Sequence, residues 1–236
     1  MCTVSYVYSS GKVIITSSRD EKTERPTAVK PLLYCLNNKK INFPKDPKAG
    51  GTWFAVDEHA NVAVLLNGAD KKHMPDRVYS KSRGLVLLNI ISSKSPIEEW
   101  SLISLHDIEP FTIVLLEANK LYQLRWNGIQ KQTKSLSAVH NHIWSSATLY
   151  APEIQKQRED WFAEFIRGKS AVTENDMQGF HLDADKDDVE NGLVMNGNDR
   201  FKTFSVTQTM IEGNKVKMFH IDLNNKEEFA NSFLII

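Results

Sequence analysis

The second residue of the chain is a cysteine. Removal of Met1 would leave Cys2 carrying both a thiol and a free α-amine. That amine titrates near ~8 in model compounds, so it can take the proton of its own side chain and release a thiolate nucleophile. More reactive types follow at Arg19-Asp20-Glu21. An arginine beside a thiol favours the thiolate, and an aspartate can hold an α-amine through a charge-assisted hydrogen bond. A third candidate is Asn67, whose side-chain NH2 can donate to a developing oxyanion. Each has a plainer reading: a small strand residue, a solvated charged turn, and a turn asparagine in Asn67-Gly68.

Chemistry between Cys2 and Arg19-Asp20 needs an element that brings the two together. CTVSYVY and KVIITSS alternate around Ser9-Ser10-Gly11, which predicts a β-hairpin. Two strands of similar length place the end of the second beside the start of the first, so residues 19 and 20 are expected near Cys2. TWFAV and VAVLLN form a second pair, opened by Gly50-Gly51, and Asn67 is the last residue of its second strand. FTIVLLE and KLYQLRW form a third around Ala118-Asn119-Lys120, and KTFSVTQTMIEG and KVKMFHIDL a fourth. RGLVLLNIISS has apolar residues at helical spacing with Ser82 as its cap, and PIEEWSLIS continues as a shorter helix. APEIQKQREDWFAEFIRG is the clearest helix: Pro152 suits its first turn, Gly168 its end, and Ile154, Trp161, Phe162, Phe165 and Ile166 one face. EKTERPTAVKP and GADKKHMPDRVYSKS read as loops. Residues 172–202 are acidic and Asn/Gly-rich with few apolar anchors. Strands in antiparallel pairs with helices grouped apart imply an α+β layered fold. No internal repeat or linker divides the chain, so residues 1–236 are expected to form a single domain.

The bulk composition narrows the function classes. Lys+Arg and Asp+Glu both number 29, so no net charge argues for nucleic acid or an anionic membrane as a partner. The two cysteines, Cys2 and Cys35, lack the CxxC spacing of thiolate zinc sites, and so few suggest a reducing compartment. No basic segment followed by a long apolar stretch opens the chain, and its apolar runs fall far short of a membrane span. A cytoplasmic protein without a signal peptide is expected. HLDADKDD places Asp183, Asp185 and Asp187 at alternating positions, but Asp188 and Val194 stand where a calcium loop wants glycine and glutamate. His140 and His142 lack an evident third ligand and read as a surface pair. No metal site is expected.

Several short motifs occur in one order: MCT at the terminus, SRDE-x-x-x-RP, GGTWFAV, VAVLLNG and SRG. Together they resemble the NRDE-domain family over residues 1 to about 90, and more loosely through IWSSATLYAPEIQKQRE. Ser18 stands where the family motif begins with Asn, while Arg19, Asp20 and Glu21 fit. The family is grouped with the N-terminal nucleophile hydrolases. The resemblance therefore implies a four-layer αββα sandwich with two central antiparallel sheets. By motif position it assigns Cys2 as nucleophile, Arg19 and Asp20 as its partners, and Asn67 as oxyanion donor. Trp53, Arg83 and Ser146 lie in family-like segments and are candidates for ligand contact. Two departures touch the downstream half of such a site. Ser145-Ser146 replaces a serine-asparagine pair, and Phe204 stands where an arginine is expected in a YGTR-like motif. The resemblance implies hydrolysis of an amide or ester of a small acyl compound, with no cofactor required. Its alternative is a non-catalytic carrier in haem trafficking or acyl-lipid metabolism, with haem held non-covalently by Cys2 or a histidine.

Overall fold

The computed structural model describes residues 3–73, 79–184, 192–195 and 201–235. In chain order the elements are β1 (Thr3–Ser9), β2 (Lys12–Lys22), β3 (Val29–Leu36), β4 (Lys39–Lys45), β5 (Phe54–Asp57), β6 (Val62–Asn67), α1 (Arg83–Ile91), α2 (Pro96–Leu102), β7 (Phe111–Glu117), β8 (Lys120–Trp126), β9 (Lys131–Leu136), β10 (His142–Ser145), α3 (Pro152–Arg167), α4 (Glu174–Asp183), β11 (Phe201–Glu212), β12 (Lys215–Asp222) and β13 (Glu227–Leu234). They form two compact units. One is built from both halves of the chain, Met1–Arg25 with Val139–Leu234, and the other from the segment Pro26–Ala138.

The first unit carries an antiparallel sheet in the order β10-β1-β2-β11-β12-β13. The expected β1–β2 hairpin is present, with Ser10 and Gly11 at φ of 51° and 77° in its turn. Its register sets Thr3 opposite Ser18, so the start of β1 and residue Arg19 share one end of the sheet. The charged residues 19–21 continue the strand instead of turning, because β11 pairs with them: Lys202 stands opposite Glu21 and Ser205 opposite Arg19. The apolar stripe of α3 packs with α4 on the sheet around Val7, Ile14, Phe162, Met177, Phe180 and Met210. Burying one such side chain stabilises the fold by about 1.5–3 kcal/mol.

Three elements depart from the sequence expectations here. Helix α4 lies in the acidic stretch read as poor in anchors. Met177, Phe180 and His181 suffice to seat it, and a reciprocal capping box between Thr173 and Asp176 starts it. Strand β10, only four residues long, pairs with β1, and β13 adds an edge strand beyond the two expected at the C-terminal end.

The second unit is a meander in the order β3-β4-β5-β6-β7-β8-β9. Its edge strand β3 begins at Val29, inside the stretch read as loop, so the loop shrinks to residues 23–28. Ser82 caps α1 as expected, accepting from the backbone N–H of Leu85 at 3.3 Å. Helix α1 buries Val86, Leu87, Ile90 and Ile91. The motifs GGTW and SRG meet here. A Cβ on Gly51 would sit 2.4 Å from the Gly84 carbonyl carbon, and one on Gly84 would sit 2.7 Å from the Thr52 carbonyl oxygen. Two backbones touch at that point, which only glycine permits.

Candidate active site

The side chains of Arg19 and Asp20 are both buried, and strand alternation sends them to opposite faces of the sheet. Asp20 points to the helix-covered face. Its Oδ1 accepts a hydrogen bond from Thr203 Oγ1 at 2.6 Å and its Oδ2 one from Tyr150 Oη at 2.5 Å. Tyr150 closes a turn that begins at Ser146, whose carbonyl accepts from the Tyr150 N–H at 3.1 Å. Burial first, and then the carboxylate of Asp20, push the Tyr150 hydroxyl well above its ordinary pKa; Arg158 opposes them. The phenol is therefore a permanent donor. Met195 Sδ lies 3.1 Å from the same oxygen, but the single phenolic proton goes to the stronger acceptor.

Arg158 is a fully buried charge on α3. Its guanidinium lies 3.7 Å from the centroid of the Tyr150 ring. It donates to Thr3 Oγ1 at 2.5 Å and to the Gly192 carbonyl at 2.7 Å. A neighbouring cluster centres on His181. Its Nε2 meets Ser5 Oγ and its Nδ1 meets Ser18 Oγ, both at 2.8 Å, so α4 clamps β1 to β2. Burial, helped by the charge of Arg158, depresses the His181 pKa to about 3, which keeps the ring neutral.

Arg19 faces the other side of the sheet. Its guanidinium carbon lies 5.5 Å from the Phe204 ring centroid and its Nη2 lies 3.8 Å from Glu21. Phe204 sits where the β2–β11 register shifts between Thr203 and Ser205. The residue that replaces an expected arginine is thus an aromatic surface for one. On the same face His220 meets Thr207 Oγ1 at 2.8 Å, and its pKa falls to about 4 through burial and the charge of Arg19, against the pull of Asp222.

The remaining sequence candidates divide between the units. Cys2 lies outside the described residues, as do Asp185 and Asp187 of the acidic motif, while Asp183 ends α4. Ser146 is buried in the first unit, with its Oγ 3.0 Å from Thr148 Oγ1. Asn67, Trp53 and Arg83 belong to the second unit. Asn67 ends β6 opposite Phe111, followed by Gly68 at φ 82°. Trp53 is buried ahead of β5. Arg83 pairs with Glu109 at 3.1 Å and donates to the Pro110 carbonyl at 3.2 Å. Among the described residues no group of three or more His, Cys, Asp or Glu is arranged to hold a metal ion.

Tyr150, Arg158, Thr203 and His181 were not singled out by the sequence reading. One signal was available for Arg158: it stands four residues after Ile154 and four before Phe162, a charge inside an apolar stripe.

Comparison with known proteins bears on the whole arrangement. No curated protein matches the chain in sequence. Among solved structures, a Caenorhabditis elegans orthologue of N-acylethanolamine-hydrolyzing acid amidase superposes with a TM-score of 0.59 at 9% identity, covering 88% of this chain and 92% of that one. A cysteine-to-alanine mutant of conjugated bile acid hydrolase from Clostridium perfringens superposes with a TM-score of 0.55 at 9% identity, covering 98% of this chain and 92% of that one. At such identities the likeness is one of fold, and it establishes the expected α+β class with two antiparallel sheets, like that of the N-terminal nucleophile hydrolases. The family model described as Transport and Golgi organisation 2 matches residues 1–217. The chain belongs to the Transport and Golgi organisation 2 family.

Proposed function

We propose that the chain is a cysteine-type N-terminal nucleophile hydrolase that cleaves an amide or ester of a small acyl compound. The observation that supports this most is the buried carboxylate of Asp20, held by two hydroxyl donors at the end of the hairpin where β1 begins. A carboxylate held this way is positioned to accept further hydrogen bonds, as an α-ammonium group requires. The solved structures of like fold include an orthologue of N-acylethanolamine-hydrolyzing acid amidase and a conjugated bile acid hydrolase, which supports the reaction class.

The proposed steps begin after loss of Met1. The α-amine of Cys2 takes the thiol proton, and Sγ attacks the carbonyl carbon of the substrate. The tetrahedral oxyanion collapses, the amine or alcohol leaving group takes the proton back from the α-ammonium, and a thioester remains. Water then adds to the thioester carbonyl, giving its proton to the amine, and the acid departs as the thiol is re-formed. Asp20 holds the α-amine and Arg19 favours the thiolate. A reduced Cys2 is needed throughout, which agrees with the cytoplasmic setting proposed for the chain. Among the described residues no helix is long and apolar enough to cross a membrane.

Carriage of an acyl ligand is the second reading, and Phe204 favours it. An aromatic ring engages Arg19 at 5.5 Å in the position where a second charge was expected. In its haem form this reading has the iron held non-covalently by Cys2 or a histidine other than His181 and His220, which are buried and engaged with hydroxyl groups.

Intact mass before and after treatment with p-nitrophenyl acetate tests the proposal. The expected result is a protein lacking Met1 that acquires one acetyl group at Cys2 faster than at Cys35, an exposed free thiol, and then loses it to water. Met1 retained in the natural protein overturns the mechanism. An acetyl group that forms and persists favours carriage.

A further inference from the structure

We propose that Arg158 and Tyr150 are positioning residues of the candidate site: one buried guanidinium fixes both the residue next to the nucleophile and the carboxylate that serves it. The inference rests on the reading of Cys2 as nucleophile.

The geometry has two arms. One runs from Arg158 to Thr3 Oγ1, 2.5 Å away, and Thr3 is joined to Cys2 by a single peptide bond. The other runs from Arg158 across the Tyr150 ring at 3.7 Å, and from the Tyr150 hydroxyl to Asp20 at 2.5 Å. A further hydrogen bond to the Gly192 carbonyl sets the plane of the guanidinium. Thr203 holds the second carboxylate oxygen from the opposite strand, so Asp20 cannot swing away from Tyr150.

The electrostatics run in the same direction. A cation over the face of a phenol draws electron density from the ring, so the hydroxyl becomes a stronger donor. Arg158 and Asp20, with opposite charges, are thereby coupled through a neutral ring in a dry environment, where hydrogen bonds polarise one another. A guanidinium suits this task better than an ammonium, since it can stack on a ring while donating in its own plane to two separated oxygens.

Stability alone is a poor reason for the arrangement. Arg158 stands in the apolar stripe of α3 between Ile154 and Phe162, where a hydrophobic residue of similar volume avoids the cost of burying a charge. What a hydrophobic residue cannot do is hold Thr3 and Asp20 in one frame. The proposed mechanism needs the α-amine of Cys2 within hydrogen-bonding reach of Asp20, and a displacement of a single ångström at a reacting centre can cost a hundredfold in rate.

The experiment is a double-mutant cycle on the intact chain, with p-nitrophenyl acetate as the probe and Cys35 as the internal reference thiol. The rate of acetylation at Cys2 is divided by that at Cys35 in the wild type, Tyr150→Phe, Arg158→Lys and the double variant. Each single substitution is expected to lower the ratio about tenfold or more, on the order of one lost hydrogen bond to a charged group. The double variant is expected to fall no further than Arg158→Lys alone, because Arg158 carries both arms and Tyr150 lies on one of them. Thr203→Ser, which keeps the hydroxyl, is expected to retain the wild-type ratio, and Thr203→Val to lose it. If Arg158→Lys does not fold, Thr3→Val removes the first arm alone and is read as a single variant, expected to lower the ratio while Tyr150 and Asp20 stay joined.

A Tyr150→Phe protein that melts at a lower temperature but acetylates Cys2 at the wild-type ratio overturns the positioning role and leaves the nucleophile standing. Losses that multiply in the double variant overturn the shared frame. A wild type in which Cys2 reacts no faster than Cys35 overturns the nucleophile itself, and the inference with it.

Discussion

Acidification is expected to destabilise the chain through His181. Folding moves this ring from an ordinary pKa of 6.5 to about 3, because it is buried between Ser5 and Ser18 with the charge of Arg158 nearby. Above the unfolded value the ring is neutral in both states and costs nothing. As the pH falls below 6.5 the unfolded chain takes up a proton that the folded chain refuses, so stability declines steadily until the pH reaches about 3. Each pH unit in that window costs about 1.4 kcal/mol, so moving from about pH 7 to about pH 4.5 removes about 3 kcal/mol through this one group. Domain stabilities are about 5–15 kcal/mol, so the loss is a substantial fraction of the whole. The perturbation that isolates it is His181→Gln, since glutamine can donate to one serine and accept from the other without titrating. Urea unfolding of wild type and variant at the two pH values gives the difference directly. The variant is expected to lose about 3 kcal/mol less than the wild type over that interval, with carboxylate contributions cancelling in the comparison. Equal losses in the two proteins would refute a ring held neutral by the fold.

Two further perturbations address the second unit. Gly84→Ala places a methyl group 2.7 Å from the Thr52 carbonyl oxygen and 2.9 Å from its nitrogen, both backbone atoms; it is expected to cost about 1–3 kcal/mol and lower the melting temperature by several degrees in a calorimetric scan. Lys39→Met removes a cation that bonds Asp57 at 2.7 Å and the carbonyls of Ile91 and Ser93 at the end of α1. It leaves a buried carboxylate without that partner, so denaturant titration is expected to show a loss of about 3–5 kcal/mol.

Legibility in the sequence followed the range of the interactions. The hairpins could be read because strand alternation and turn residues are local signals, and β1–β2 and β7–β8 formed where the pattern put them. Helix α1 carried a serine cap and α3 a first-turn proline, each with an apolar stripe. Helix α4 was missed because three buried residues within a polar segment hold it, and their value depends on strands distant in sequence. Arg19 and Asp20 were found as a pair of chemical types, but the continuation of the strand through them, which alternation then splits between opposite faces, came from pairing with β11. The partners of Asp20 had no local signature at all: a tyrosine in a turn and a threonine in a strand become its donors only through tertiary contact.

The discontinuity of the first unit has a consequence during synthesis. All but the last two residues of the second unit form one unbroken segment, Pro26–Ala138, which can condense as soon as it leaves the ribosome. The strands β1 and β2 emerge before it, yet their neighbour β11 is nearly the last strand to be made. The two donors that hold Asp20 lie 130 and 183 residues downstream of it. A nascent chain therefore carries its candidate nucleophile long before the carboxylate meant to serve it has been locked in place. On the proposed mechanism, Cys2 in a growing chain would be an ordinary thiol, and its reactivity would arise only once Thr203 pairs with β2.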